Sequence, residues 1–175
     1  MLYLKEANFQ DIEKEYEYIT NLPKNENGFF NTDYNCSKED FEKIILPRYI
    51  DNAKGVNLVE GRVPSTEYFL WNDDEIVGLF RLRHYLNDFL REYAGHIGYG
   101  IKKEFRGQGY AKEGLKLLIN IAKEIVPEDE IYMSVHKNNL ASLKTQLSNG
   151  AYIHHEDDER YYTRIDLKYM KKKGK

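Results

Sequence analysis

The chain lacks most of the features that would send it out of the cell or into a membrane. Cys36 is its single cysteine among 175 residues, which excludes an intramolecular disulfide. It has no N-terminal apolar stretch of the signal type and no apolar run of about 18 residues, so a cytoplasmic location is expected. Neither sign of charge dominates: 26 Lys and Arg stand against 29 Asp and Glu, a formal net charge of -3, which leaves no basic footprint for nucleic acid. Internal repeats and interdomain linkers are also missing. A chain of 175 residues can bury one sizeable core and is short for two. One domain is expected over residues 1–170, followed by a basic, solvated and disordered tail at 171–175.

Two familiar phosphate loops are missing as well. A P-loop needs Gly-Lys-Ser/Thr five positions after its first glycine, but Gly109 is followed by Gly114 and then Leu115. The dinucleotide fingerprint would place glycine at 112, where the chain has Lys112. What is present is Arg106-Gly107-Gln108-Gly109-Tyr110-Ala111, set between an apolar run ending at Ile101 and an amphipathic stretch with Ala111, Leu115, Leu118 and Ala122 on one face. Two close glycines let the backbone turn sharply and gather N–H groups, and the helix that follows adds its unpaired N–H donors and the positive end of its dipole. That is a cradle for an anion, a pyrophosphate above all; the plain alternative is a glycine-rich turn that caps the helix.

The order of elements reads as follows. Residues 2–5 form a short strand and 11–21 a helix with Ile12, Tyr16 and Ile19 on one face. Residues 25–35, rich in Asn, are expected to be loop. Ser37 and Asp40 resemble a capping box before Phe41, Ile44, Ile45 and Tyr49, in a helix that Pro47 should bend or end. Residues 66–71 and 76–84 make a hairpin, and 94–101 a further strand whose glycines would let a ligand arm approach. Residues 130–136 alternate as a strand, 139–150 make a helix closed by Asn149-Gly150, and 151–155 with 161–167 make a terminal hairpin.

The spacing Arg-x-x-Gly-x-Ala from Arg106 to Ala111, with the flanking strands and the segment from Asn139 to Gly150, resembles the Gcn5-related N-acetyltransferase (GNAT) superfamily. Residues 94–151 carry the resemblance, and Leu82-Arg83-His84-Tyr85-Leu86-Asn87-Asp88 with Gly95-His96-Ile97-Gly98-Tyr99 is similar to a poorly characterised bacterial branch of it. The resemblance implies an α+β fold with a mixed, mostly antiparallel central sheet flanked by helices, in which a splayed strand pair, 94–101 and 130–136, holds acyl-CoA. It implies acetyl-CoA as acyl donor, no metal, and transfer to a small-molecule amine or a protein or peptide amine by direct attack in a ternary complex. A homodimer is compatible with it. Arg106, Gly107, Gln108, Gly109, Tyr110 and Ala111 match the pyrophosphate loop. Tyr99, Gly100 and Ile101 match the strand end that pairs with pantetheine. Asn139 matches a position reaching that arm, although Asn is equally suited to cap its own helix; Ser142 is a further candidate on that helix face.

Acyl transfer needs a neutral amine, donors for the oxyanion and an acid for the leaving thiolate. Many relatives carry a Tyr seven residues after the matching Asn; this chain has Gln146 there, which cannot donate a proton in that way. Tyr85 and Tyr152 are the tyrosines considered in its place. His96 is the base candidate, with a structural, hydrogen-bonded histidine as the alternative, and His84 and His136 are rivals. His154-His155 invites a metal reading, which the opposite orientation of adjacent strand residues argues against. The alternative to an enzyme is an acyl-CoA-binding sensor or partner module with weak chemistry.

Overall fold

The computed structural model describes residues 1–168; the expected tail and the last two residues of the expected domain lie outside them. In chain order the first half contains β1 (Leu2–Glu6), α1 (Ile12–Asn21), β2 (Asn25–Glu26), β3 (Phe29–Phe30), α2 (Lys38–Asp40) and α3 (Leu46–Lys54). The second contains β4 (Ser65–Asn72), β5 (Glu75–Arg83), β6 (Ile97–Ile101), α4 (Tyr110–Ile125), β7 (Glu130–His136), α5 (Leu140–Ser148), β8 (Tyr152–Glu156) and β9 (Arg160–Asp166). The fold is α+β, with an antiparallel sheet flanked by helices.

That sheet is divided. One part has four strands in the order β1-β4-β5-β6, the other three in the order β7-β9-β8, and every ladder in both is antiparallel. β4 sits inside the larger part with both faces covered, which is why Tyr68-Phe69-Leu70-Trp71 reads as an unbroken apolar run without alternation. On one face Tyr68, Leu70, Phe80, Leu82 and Ile97 pack with Leu115, Leu118, Ile119 and Ala122 of α4. On the other, Phe69, Trp71 and Leu79 pack with Tyr18 and Ile19 of α1 and with Phe41, Leu46 and Tyr49. Each large side chain so buried contributes about 1.5–3 kcal/mol. α4 lies close against β5: a Cβ on Gly114 would come 2.4 Å from the Phe80 ring, so even Ala there forces the helix off the sheet.

No ladder joins β6 to β7. They touch at one point, where the His96 N–H donates to Tyr132 O at 2.7 Å and the Tyr132 N–H donates to His96 Nδ1 at 2.9 Å. Gly95 makes that approach possible. Its φ is +67°, and a Cβ there would lie 2.1 Å from Tyr132 O. From this apex β6 and β7 diverge, leaving a V-shaped gap.

Four local expectations are corrected. The strand expected at 94–101 begins at Ile97, because Leu90–Ala94 forms a π-helical turn and Gly95 kinks the chain. The expected loop at 25–35 contains the hairpin β2–β3, turned by Asn27 and Gly28 at φ +51° and +91°. Pro47 does not end its helix: the chain widens to a π-helical turn over Phe41–Ile45 just before it, and α3 continues through Pro47 to Lys54. Finally, a register shift between Ile153 and His155 in β8 brings His154 Nδ1 within 2.8 Å of His155 Nδ1, so those rings do not diverge as they would on a regular strand.

Candidate functional site

The mouth of the V opens toward Arg106–Ala111. Gly107 and Gly109 have φ of +77° and +84°, and nothing lies within 4 Å of where either Cβ would sit. Glycine is required there by conformation and leaves the approach to the backbone open. Gly109 stands at the N-terminus of α4 with no side-chain cap; Arg106 N–H bonds back to Lys103 O at 3.3 Å, and Glu113 N–H in the first turn of the helix to Gly109 O at 3.1 Å. The loop N–H groups between them gather around the positive end of a 16-residue helix. Tyr110 anchors the turn, its hydroxyl accepting from Asn72 Nδ2 at 3.3 Å and its ring lying edge-on to Phe105. Gln108 is exposed. Arg106 donates from Nε to Ile101 O at 3.0 Å and pairs through Nη2 with Glu26.

Inside the V, Ile97 and Ile101 point into the core while Gly98 and Gly100 present bare backbone to the opposite face, covered only by Phe29. β6 spans about 13 Å at about 3.3 Å per residue. Across from β6 lies α5, which the Tyr99 hydroxyl reaches at Ser142. Asn139 caps that helix, its Oδ1 accepting from Ser142 N–H at 3.2 Å, so the capping alternative is realised.

Tyr99 bridges the two walls. Its hydroxyl lies 2.8 Å from Ser142 Oγ and 3.2 Å from Ser142 O, with the Gln146 side chain nearby. Gln146 is buried, and its Oε1 accepts from Thr163 Oγ1 at 2.6 Å. Burial pushes the Tyr99 phenol above its ordinary value, with Ser142 and Gln146 pulling the other way, so it stays protonated. The tyrosine beside Gln146 is thus Tyr99. Tyr152 instead bonds Glu130 from the outer strand β8, and Tyr85 is exposed beyond β5. Sequence reasoning gave Tyr99 a backbone role only; the alternation of β6, with glycines on either side of it, was the signal that its side chain faces α5.

His96 sits at the closed end, fully buried. Nδ1 accepts from Tyr132 N–H, and Nε2 lies 3.1 Å from Glu128 Oε2. Both nitrogens are taken, which fixes the proton on Nε2. Burial lowers its pKa against the opposing pull of Glu128, whose own carboxyl sits below its usual range. The rivals lie elsewhere: His84 Nε2 is 2.8 Å from Thr66 Oγ1, and His136 packs against the Gly28 turn.

The face opposite α4 carries charge. Glu67, Arg81 and Gly98 are register partners across β4, β5 and β6. Arg81 Nε pairs with the buried Glu67, and its guanidinium lies 5.4 Å from the centre of the Phe29 ring. Arg83, two residues on, donates from Nη1 to Gly95 O at 3.2 Å beside the apex. Among the described residues, no group of three or more His, Cys, Asp or Glu is placed to hold a metal, and no helix is long and apolar enough to cross a membrane.

Residues 4–151 match the model of an acetyltransferase (GNAT) domain. No curated protein matches the chain in sequence. Among solved structures, a probable acetyltransferase superposes with TM-score 0.71 at 20% identity, covering 94% of this chain and 92% of that one. The N-acetyltransferase PseH from Campylobacter jejuni, in complex with acetyl-CoA, gives 0.58 at 17% identity over 95% and 99%. An aminoglycoside acetyltransferase in complex with CoA gives 0.65 at 13% identity over the whole of both chains.

Proposed function

The chain belongs to the GNAT acetyltransferase family, and from that premise we propose that it is an N-acetyltransferase, moving an acetyl group from acetyl-CoA to an amine by direct attack in a ternary complex. The observation that carries the reading is the open V between β6 and β7 leading to a loop whose N–H groups gather at the start of α4. In this reading Gly107, Gln108, Gly109, Tyr110 and Ala111 hold the pyrophosphate through backbone N–H groups, and Arg106 supplies charge once it leaves Glu26. The exposed edge of Tyr99, Gly100 and Ile101 pairs with the pantetheine arm, while Asn139 and Ser142 line the facing wall.

The chemistry then falls to few groups. The amine arrives from the Gly98–Gly100 face, beside the Phe29 ring that lies over it, and its proton leaves through water, since neither ring nitrogen of His96 is free to take it. His96 serves as a positioning residue that clamps β6 to β7 at the apex. A β6 backbone N–H steadies the developing oxyanion. Tyr99, neutral and beside Gln146, protonates the leaving thiolate in place of the missing helix tyrosine. A second reading, an acyl-CoA-binding module with little turnover, draws on Gln146, whose carbonyl is committed to Thr163 where relatives carry a proton donor.

Purified protein mixed with labelled acetyl-CoA and an amine panel, followed for both binding and product, separates them. Turnover with at least one amine supports the enzyme. Binding without product for every amine supports the module, and absence of binding defeats both.

A further inference from the structure

Arg83 is not explained by the fold. Of the other partly buried arginines, Arg81 stands next to Glu67 and Arg164 next to Glu130, while Arg160 reaches Ser134 Oγ. Arg83 has no carboxylate partner among the described residues. Its one hydrogen bond goes from Nη1 to the carbonyl of Gly95, which leaves most of its five donors unused. Arg81 stands two residues away on the same face of β5, and Arg62 adds a third like charge. Burial first, and then Arg81, push the Arg83 pKa down to about 10, with Glu67 pulling the other way. A half-buried guanidinium without an ion-pair partner is costly unless an anion completes it.

Position gives the anion a source. Gly95 O lies one residue before the apex where β6 and β7 meet, at the end of the V farthest from Arg106–Ala111. Arg83 shares its sheet face with Gly98, the side from which an acceptor reaches the gap. We infer that Arg83 is a specificity-determining residue that docks a carboxylate or phosphate carried by the acceptor, so that the acceptor is a small anionic amine such as a free amino acid. The inference rests on the acetyltransferase reading above. Glu67, the buried acid of this face, already faces Arg81. A planar fork binds a carboxylate through two parallel N–H bonds, which holds the neighbouring amine at a fixed distance from the bond to be broken.

The test gives wild-type protein and acetyl-CoA a pool of the common L-amino acids, the matching pool of amino-acid amides, and the pair phosphoethanolamine and ethanolamine, with acetylated products read by mass. Products from the anionic member of each pair, with a KM raised at least about tenfold in Arg83→Gln and partly restored in Arg83→Lys while neutral amines are unaffected, are expected. Equal use of acids and amides, or equal losses for both in Arg83→Gln, overturns it. Calorimetry of the same amines on CoA-saturated protein decides the matter without turnover. Binding of anionic amines that Arg83→Gln abolishes supports the inference, and no such difference overturns it. A separate acetyl-CoA titration shows whether the donor site itself has failed.

Discussion

Phe80, Leu82 and Ile97 finish one face of the larger sheet with hydrocarbon beneath α4, whereas on the other face β4 and β5 carry Glu67, Arg81 and Arg83, and β6 two glycines beneath Phe29. The first face gains stability by excluding water and holds the V in shape. The second keeps charge partly buried at a cost that packing alone would not select, beside the glycines of β6 that Phe29 covers. In the proposed reading, the donor side is made of backbone and packing, and the acceptor side of side-chain charge. Substitutions on the two sides should fail in different ways.

The largest effect is expected at the point that both sides share. Gly95→Val places side-chain carbon inside Tyr132 O and should cost more than about 3 kcal/mol, read as a fall in the denaturation midpoint. Next, Tyr99→Phe removes the phenol beside Gln146 and should lower kcat about a hundredfold with the acetyl-CoA Kd unchanged. If kcat holds and Kd rises, Tyr99 belongs to the donor wall alone.

A smaller effect concerns pH. The buried His96 binds a proton less readily in the folded than in the unfolded chain. Stability that it influences is complete above the unfolded value of about 6.5 and is lost as pH falls from there toward the lowered folded value, by at most about 1.4 kcal/mol per unit. Denaturation of wild type and His96→Gln between pH 5 and about 8 checks this, the variant lacking that acid-side loss. The smallest change is expected from Glu26→Gln, which frees Arg106 without touching the core. Acetyl-CoA affinity should rise by about two- to fivefold at low salt and less at high salt, as for an exposed pair.

Much of the loop, α4 and the α5 cap was legible in the sequence because their determinants are local. Gly109 before a 3.6-residue apolar period marks the loop and α4 directly, and Asn139 announces its own cap. The alternation at 130–136 gave β7 nearly to the residue. The acceptor side depends on register between distant strands, and register is silent in one sequence. That Arg81 faces Glu67, or that Tyr99 reaches Ser142 across the gap, follows only once β4, β5, β6 and α5 are assembled. The same holds for His96. Its residue type suggested a base, and only Tyr132 and Glu128, 36 and 32 residues away, turn it into a clamp. Pro47 misled for a different reason, since a π-helical turn can absorb a proline that a regular helix interior cannot.

Amide hydrogen exchange with and without CoA tests most directly whether the V and its loop form the donor site, with Gly109→Val as the control that puts a side chain where φ is +84°. The expected result is slowed exchange at Gly107 through Ala111 and along β6 in wild type, lost in the variant while β4 and β5 stay protected. Unchanged exchange over those residues in saturating CoA, or protection centred elsewhere, would contradict it.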